Sequence, residues 1–159
     1  SLKSLKNLKF IEFPKEGLEE LKKISNIISK FNGCILMIDY GYLKPNNKNT
    51  LQSVIRHSKN NIFKNLGKAD ITCHVNFSLL NEYFVKKNLK VKKIITQNEF
   101  LNKMGIFQRA EIISKNMKFT EKADLYLRLK RLLSPQYMGE LFKVILAYKS
   151  QINFYNGFK

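Results

Sequence analysis

Close-set glycines, acidic side chains, cysteines, histidines and long apolar runs are all scarce in this chain. Seven glycines occur in 159 residues and no two are one residue apart, so no G-x-G motif is present. No apolar run approaches the roughly 18 residues that a spanning helix needs, and no membrane span is expected. The stretch Ser1-Leu2-Lys3-Ser4-Leu5-Lys6 lacks a continuous apolar core followed by a small-residue cleavage site, so it does not read as a secretory signal. With no methionine at its start, the chain reads as cut from something longer. The two cysteines, Cys34 and Cys73, have no C-x-x-C spacing and sit in apolar, strand-like surroundings. Buried free thiols in a reducing compartment are expected, rather than a disulfide or a metal pair. The two histidines, His57 and His74, have no third ligand at metal spacing, and no zinc site is expected.

Twelve acidic residues stand against 29 basic ones, a formal net charge of +17. Only Arg56, Arg109, Arg128 and Arg131 are arginines; the rest are lysines. Lysine, asparagine and isoleucine together are what an AT-rich genome tends to encode, so much of this charge reads as solvated surface. A field of this sign still favours polyanions at low salt. No recognisable nucleic-acid motif accompanies it.

At 44% hydrophobic and 12% aromatic, the chain is long enough and apolar enough for a real core. Residues 1–159 read as a single or partial domain, without internal repeat or linker. Pro14 opens a helix whose stripe is Leu18, Leu21, Ile24, Ile27, Ile28 and Phe31, with Asn32-Gly33 as its stop. The apolar run 34–39 then reads as a strand buried on both faces. Residues 50–55 read as a short strand or a turn, and 69–75 as weakly extended. Asn76 suits the N-cap of a helix from Phe77 to Lys87. A strand at 89–95, helices at 98–104, 106–116 and 120–133, and a last strand at 141–148 complete an α/β layer pattern. The tail after Lys149 is expected to fray. Strand 34–39 has no obvious partner on one side.

The carboxyl end of that strand carries Asp39, Tyr40, Gly41 and Tyr42. Ligands of open α/β sheets bind at such strand ends. A carboxylate and two phenols there can orient a cationic acceptor by hydrogen bonds. Arg56, His57 and His74 are sparse polar choices in a lysine-rich chain and are further candidates for substrate contact. So is Glu140, on a turn ahead of the last strand.

Five ordered blocks carry a family resemblance: Gly33–Tyr42, Thr50–His57, Ala69–Phe77, Thr96–Ile106 and Met138–Val144. Over residues 12–148 the chain resembles the MidA-like family of class I S-adenosylmethionine-dependent methyltransferases. The mitochondrial member of that family is an assembly factor for respiratory complex I that methylates an arginine of a complex I subunit. The resemblance implies the C-terminal part of a Rossmann-like class I methyltransferase sheet with helical insertions. Helix 15–31 and strand 34–39 would be the fourth helix and fifth strand. Strands 89–95 and 141–148 would be the sixth and the antiparallel seventh. Segments 43–87 and 97–135 would be elaborations on the substrate side.

The implied cofactor is S-adenosyl-L-methionine, but the loop that holds it and the acidic residue for its ribose have no counterpart here. No residue of this chain is assigned to the cofactor, and the chain alone is expected to be inactive. A protein substrate, such as a complex I subunit, and an upstream half of the same enzyme are the implied partners. The bacterial cytoplasm or the mitochondrial matrix is the implied compartment. Three other readings stay open: a non-enzymatic basic module for RNA or an acidic protein, a structural subunit of the methyltransferase, and a decaying remnant.

Overall fold

The computed structural model describes residues 2–44, 47–149 and 157–158. Helix α1 spans Lys15–Phe31, with Glu16 in its first turn and Lys30 in its last, matching the helix dipole. It stops where Asn32 turns left-handed at φ 53° and gives its N–H to the Ile28 carbonyl. Gly33 N–H donates to the same carbonyl at 3.0 Å. The stop expected from Asn32-Gly33 is therefore made, with asparagine in the left-handed position.

Strand β1 follows directly, Cys34–Tyr42, three residues longer than its apolar run suggests. It pairs antiparallel with β8, Phe142–Tyr148, from Cys34 opposite Tyr148 to Tyr40 opposite Phe142. On its other edge, Gly41 and Tyr42 pair in parallel with β5, Val75–Asn76. The far edge of β8 takes two short strands, β6 at Lys90–Val91 and β7 at Ile95–Thr96. The expected strand 89–95 is thus broken in two, although Lys92 N–H still bonds the Leu146 carbonyl at 3.0 Å. The order β5-β1-β8-β6, with β7 also on β8, places an antiparallel strand between β1 and the β6/β7 pair.

Strand β8 is the best-covered element. Its alternation sends Ile145 and Ala147 into one cluster and Val144 into another. The first cluster joins Leu21 and Ile28 of α1, Leu89, and Phe77, Leu80 and Phe84 of helix α2, Phe77–Lys86. Asn76 caps α2 as expected, its side chain accepting the Leu79 N–H at 3.0 Å. Since α2 lies in this main core, segment 43–87 is not wholly an elaboration. The second cluster joins Val144, Ile95 and Phe100, with Phe158 packed at its edge.

Two expectations of burial are overturned. Strand β1 is covered on one face only: Leu36 and Ile38 remain 46% and 42% exposed. The described residues supply helices for the Ile35 and Met37 face and none over Leu36 and Ile38. For the same reason Ile24, Ile27 and Phe31 of the α1 stripe stay exposed while Leu21 and Ile28 are buried. Both cysteines are free, as expected, but exposed rather than buried. Cys34 begins an uncovered strand face, and Cys73 lies in the link between β4, Asp70–Thr72, and β5.

Strand β4 belongs to a small second sheet of order β3-β2-β4, with β2 at Gln52–Ile55 and β3 at Ser58–Asn60. Beyond β7 come α3 (Gln97–Lys103), α4 (Ile106–Ser114), α5 (Phe119–Leu133) and the one-turn α6 (Met138–Leu141). The last strand therefore begins at Phe142 rather than Leu141. Gln97 and Asn98 side chains donate to the Leu132 and Leu133 carbonyls, tying α3 to the end of α5. No helix among the described residues is long and apolar enough to cross a membrane. The tail expected to fray falls mostly outside the described residues.

Candidate functional site

The carboxyl end of β1 gathers several of the residues singled out above. Asp39 Oδ1 accepts the N–H of Tyr40 at 2.8 Å. The Tyr40 ring stands edge-on to His74 and to Phe142, with centroids 5.5 Å away in each case. His74 arrives on the short link into β5, whose pairing with Gly41 and Tyr42 brings it there. Asp39, Tyr40, Tyr42 and His74 are all partly buried, so their polar atoms sit at a surface rather than in the core.

A carboxylate that sequence reasoning passed over completes the group. Glu12, in the loop ahead of α1, accepts the Thr50 backbone N–H at 2.9 Å and the Thr50 hydroxyl at 2.6 Å. The Thr50 oxygen in turn accepts the His74 N–H at 2.9 Å. The available signal was a lone carboxylate set in the apolar alternation Phe10-Ile11-Glu12-Phe13.

Charge and burial shift two neighbouring groups. Burial, then the charge of Glu12, then Cys73 push the Tyr42 phenol above its ordinary 10.0. Burial, then Glu12, then Asp39 push the Cys73 thiol above its ordinary 9.0. Both groups are therefore held protonated near neutral pH: Tyr42 as a hydrogen-bond donor, Cys73 as a thiol rather than a nucleophile.

His74 lines two hollows. One, about 380 Å³ and mostly apolar, is bounded by Phe13, Leu18, Leu21 and Met37, with Glu12 and Cys73 among its walls. The other, about 500 Å³, is mixed in character, with Thr50, Gln52, Lys59 and Asn60 beside Leu51 and Ile62 in its walls.

The remaining candidates lie elsewhere. Arg56 and His57 form the two-residue tip of the β2–β3 hairpin, both exposed and both at positive φ, 48° and 64°. Glu140 is exposed on α6, not on a turn, and its backbone carbonyl takes the Lys143 ammonium. The described structure does not join these three to the Tyr40–His74 group.

The profile of one protein family, S-adenosyl-L-methionine-dependent methyltransferases, matches residues 2–96. This chain belongs to that family. Among curated relatives of this chain, the mitochondrial protein arginine methyltransferase NDUFAF7 of Xenopus tropicalis is 27% identical over 124 residues. That match covers 77% of this chain and 28% of the relative. The mouse protein of the same name is 29% identical over 123 residues, again 77% of this chain and 28% of the relative. The chain thus spans less than a third of the length of the curated relatives it matches.

Two crystal structures from Burkholderia thailandensis, belonging to one superfamily, share the fold. One aligns with a TM-score of 0.79 at 24% identity, covering 97% of this chain and 44% of the other. The second, bound to S-adenosyl-homocysteine, aligns at 0.80 and 22%, covering 97% and 42%. At these identities the likeness speaks to the fold, and the fold is the Rossmann-like one that the family resemblance implies.

The strand-end turn at Gly41 offers no cradle for the family's cofactor. On the side a β-carbon would take, Gly41 is closed: that atom would meet the Val75 carbonyl and, at 2.9 Å, the Phe77 ring. That close approach serves the protein's own β5 and α2. No glycine pair elsewhere offers a cofactor turn.

Proposed function

We propose that this chain is the substrate-side, C-terminal part of a protein arginine methyltransferase, a single partial domain, acting on a protein acceptor such as a respiratory complex I subunit. The observation that carries the reading is the shape of the sheet. Its antiparallel β8 sits between β1 and β6/β7, while among the described residues β1 keeps an open edge from Cys34 to Tyr40 and an uncovered face. An unpaired inner edge is a hazard that folded proteins cover. The reading assigns that edge to a partner segment carrying the cofactor loop. The relatives' names support an arginine acceptor and a mitochondrial compartment.

S-adenosylmethionine, when bound by the complete enzyme, supplies an electrophilic methyl group. This chain's own residues hold the acceptor. A guanidinium needs carboxylate oxygens in its plane, and a bidentate pair is the strongest arrangement. Asp39 has one oxygen committed to Tyr40 N–H, and the other has no hydrogen-bond partner among the described residues and can take an incoming N–H. Tyr40 and His74 provide an aromatic wall on which a guanidinium stacks. Positioning of this kind is the larger part of what a methyl acceptor requires. Arg56, His57 and Glu140 stay as outlying substrate contacts in this reading.

The test begins with calorimetric titration of S-adenosylmethionine into the chain. A folded chain that gives no heat agrees with a cofactor loop elsewhere; micromolar binding overturns that placement. Methyl transfer to an arginine-bearing acceptor by the complete enzyme is then compared with its Asp39→Asn variant, which should lose at least tenfold in kcat/KM, about 1.4 kcal/mol. Salt-sensitive RNA binding without cofactor dependence, and no methyl transfer, favours the basic-module reading instead.

A further inference from the structure

We propose that Glu12 is a positioning residue for this site, acting through Thr50 on His74; its role in substrate contact rests on the reading just given. Three segments far apart in sequence meet here, and each contact has a definite direction. Glu12 takes the N–H and the hydroxyl proton of Thr50 on its two oxygens, at 2.9 and 2.6 Å. Having given its proton to a carboxylate, the Thr50 hydroxyl can only accept from its remaining neighbours. The backbone N–H of His74 fills that role at 2.9 Å.

A charged acceptor polarises the chain, so the bond to His74 gains from the carboxylate that it does not touch. The consequence is positional. Fixing the His74 backbone fixes the root of a ring that stands edge-on to Tyr40, and His74 lines both hollows. Without the clasp, the two-residue link between β4 and β5 is held only from its ends, by the pairing of β4 with β2 and of β5 with β1. Glu12 makes no ring contact itself; it acts at one remove, through a hydroxyl.

Three variants separate the clasp from general stability. Thr50→Val deletes the hydroxyl and leaves Glu12 its backbone partner. Thr50→Ser keeps the hydroxyl. Glu12→Ala removes the carboxylate. The readout is the NMR position of the His74 ring protons, which the Tyr40 ring shifts, together with exchange of the His74 amide. Thr50→Val and Glu12→Ala should move the ring resonances toward those of a free imidazole. They should also speed amide exchange by about fivefold, the weight of one modest hydrogen bond. Thr50→Ser should restore both, and the buried Val144 methyls should not move.

In the complete enzyme, Thr50→Val should raise KM for the acceptor more than it lowers kcat, with Thr50→Ser again restoring it. Unmoved His74 ring resonances in a folded Thr50→Val protein overturn the proposal. An enzyme without methyl transfer overturns the functional reading alone, since the resonances decide the clasp separately.

Discussion

Gly41 and Val75 lie so close across the β1–β5 pair that only a hydrogen fits between the Gly41 α-carbon and the Val75 carbonyl oxygen. The position demands glycine for space and not for backbone angle, because its φ is not in the left-handed region.

Gly41→Ala should therefore lower stability by about 1–3 kcal/mol, the usual cost of forcing a methyl into a filled site. Thermal unfolding measures it. The same change should loosen the Tyr40–His74 contact, because the link carrying His74 is docked through this pair. An unchanged melting temperature would mean that β5 is not seated as described.

Arg56 and His57 both hold left-handed backbone at the β2–β3 turn, a conformation that costs non-glycine residues roughly 1–2 kcal/mol. Replacing them with Asn-Gly, the preferred pair for such a turn, should stabilise the protein by about 1 kcal/mol. Combined with a methyl-transfer assay, the variant also asks whether these side chains meet substrate. Gained stability with unchanged KM would remove them from the site.

Cys73 is exposed, yet its thiol is pushed upward by burial of the sulfur's surroundings and then by Glu12 and Asp39. In a Cys34→Ser background, alkylation at pH 8 should run slower than for a small free thiol. Glu12→Gln takes away one of the negative charges that disfavour the thiolate, so labelling should quicken. A slower or equal rate would show that Glu12 does not act on this sulfur.

Glu82 anchors the short 3₁₀ turn at Lys3–Leu5 to α2. It accepts the N–H groups of Lys3 and Ser4 at 2.8 and 2.9 Å and the Ser4 hydroxyl at 2.8 Å. These bonds, the Ser4 N–H foremost, bring its carboxyl down from an ordinary 4.5 to about 2. A depressed folded value means stabilisation present above the unfolded value and lost on acidification. The tether should hold at neutral pH and weaken as pH falls from about 4.5 toward 2. Amide exchange of Ser4 across that range measures it. Glu82→Gln should bring fast exchange already at pH 7.

Much of the fold could be read before any coordinates, for reasons that differ by element. Helix α1, its stop at Asn32-Gly33 and the Asn76 cap follow from local chemistry, which sequence states directly. The antiparallel place of the last strand was read from family resemblance. Coverage of β1 was misread, because an apolar run reports what a strand would bury and not whether a partner is there to bury it. The exposed Leu36, Ile38 and Cys34 all follow from that one gap. At the site, Asp39, Tyr40 and His74 were legible as rare polar residues at a strand end and in a matched block. Glu12 was not. Its importance lies in two bonds to Thr50, and a contact between distant loops leaves no periodicity to detect.

The final strand of the described sheet sets the order in which the molecule can form. β8 is bonded to β1, to β6 and to β7, so none of those three gains that partner until residues 142–148 are available. Pairings of Cys34 with Tyr148 and Leu36 with Leu146 span on the order of 100 residues. While the chain is being made, α1 and α2 can coil locally, but their apolar faces wait for Ile145 and Ala147. A ribosome that stalls or a protease that clips ahead of Phe142 thus releases helices and the small β3-β2-β4 sheet without the strand that unites β1, β6 and β7.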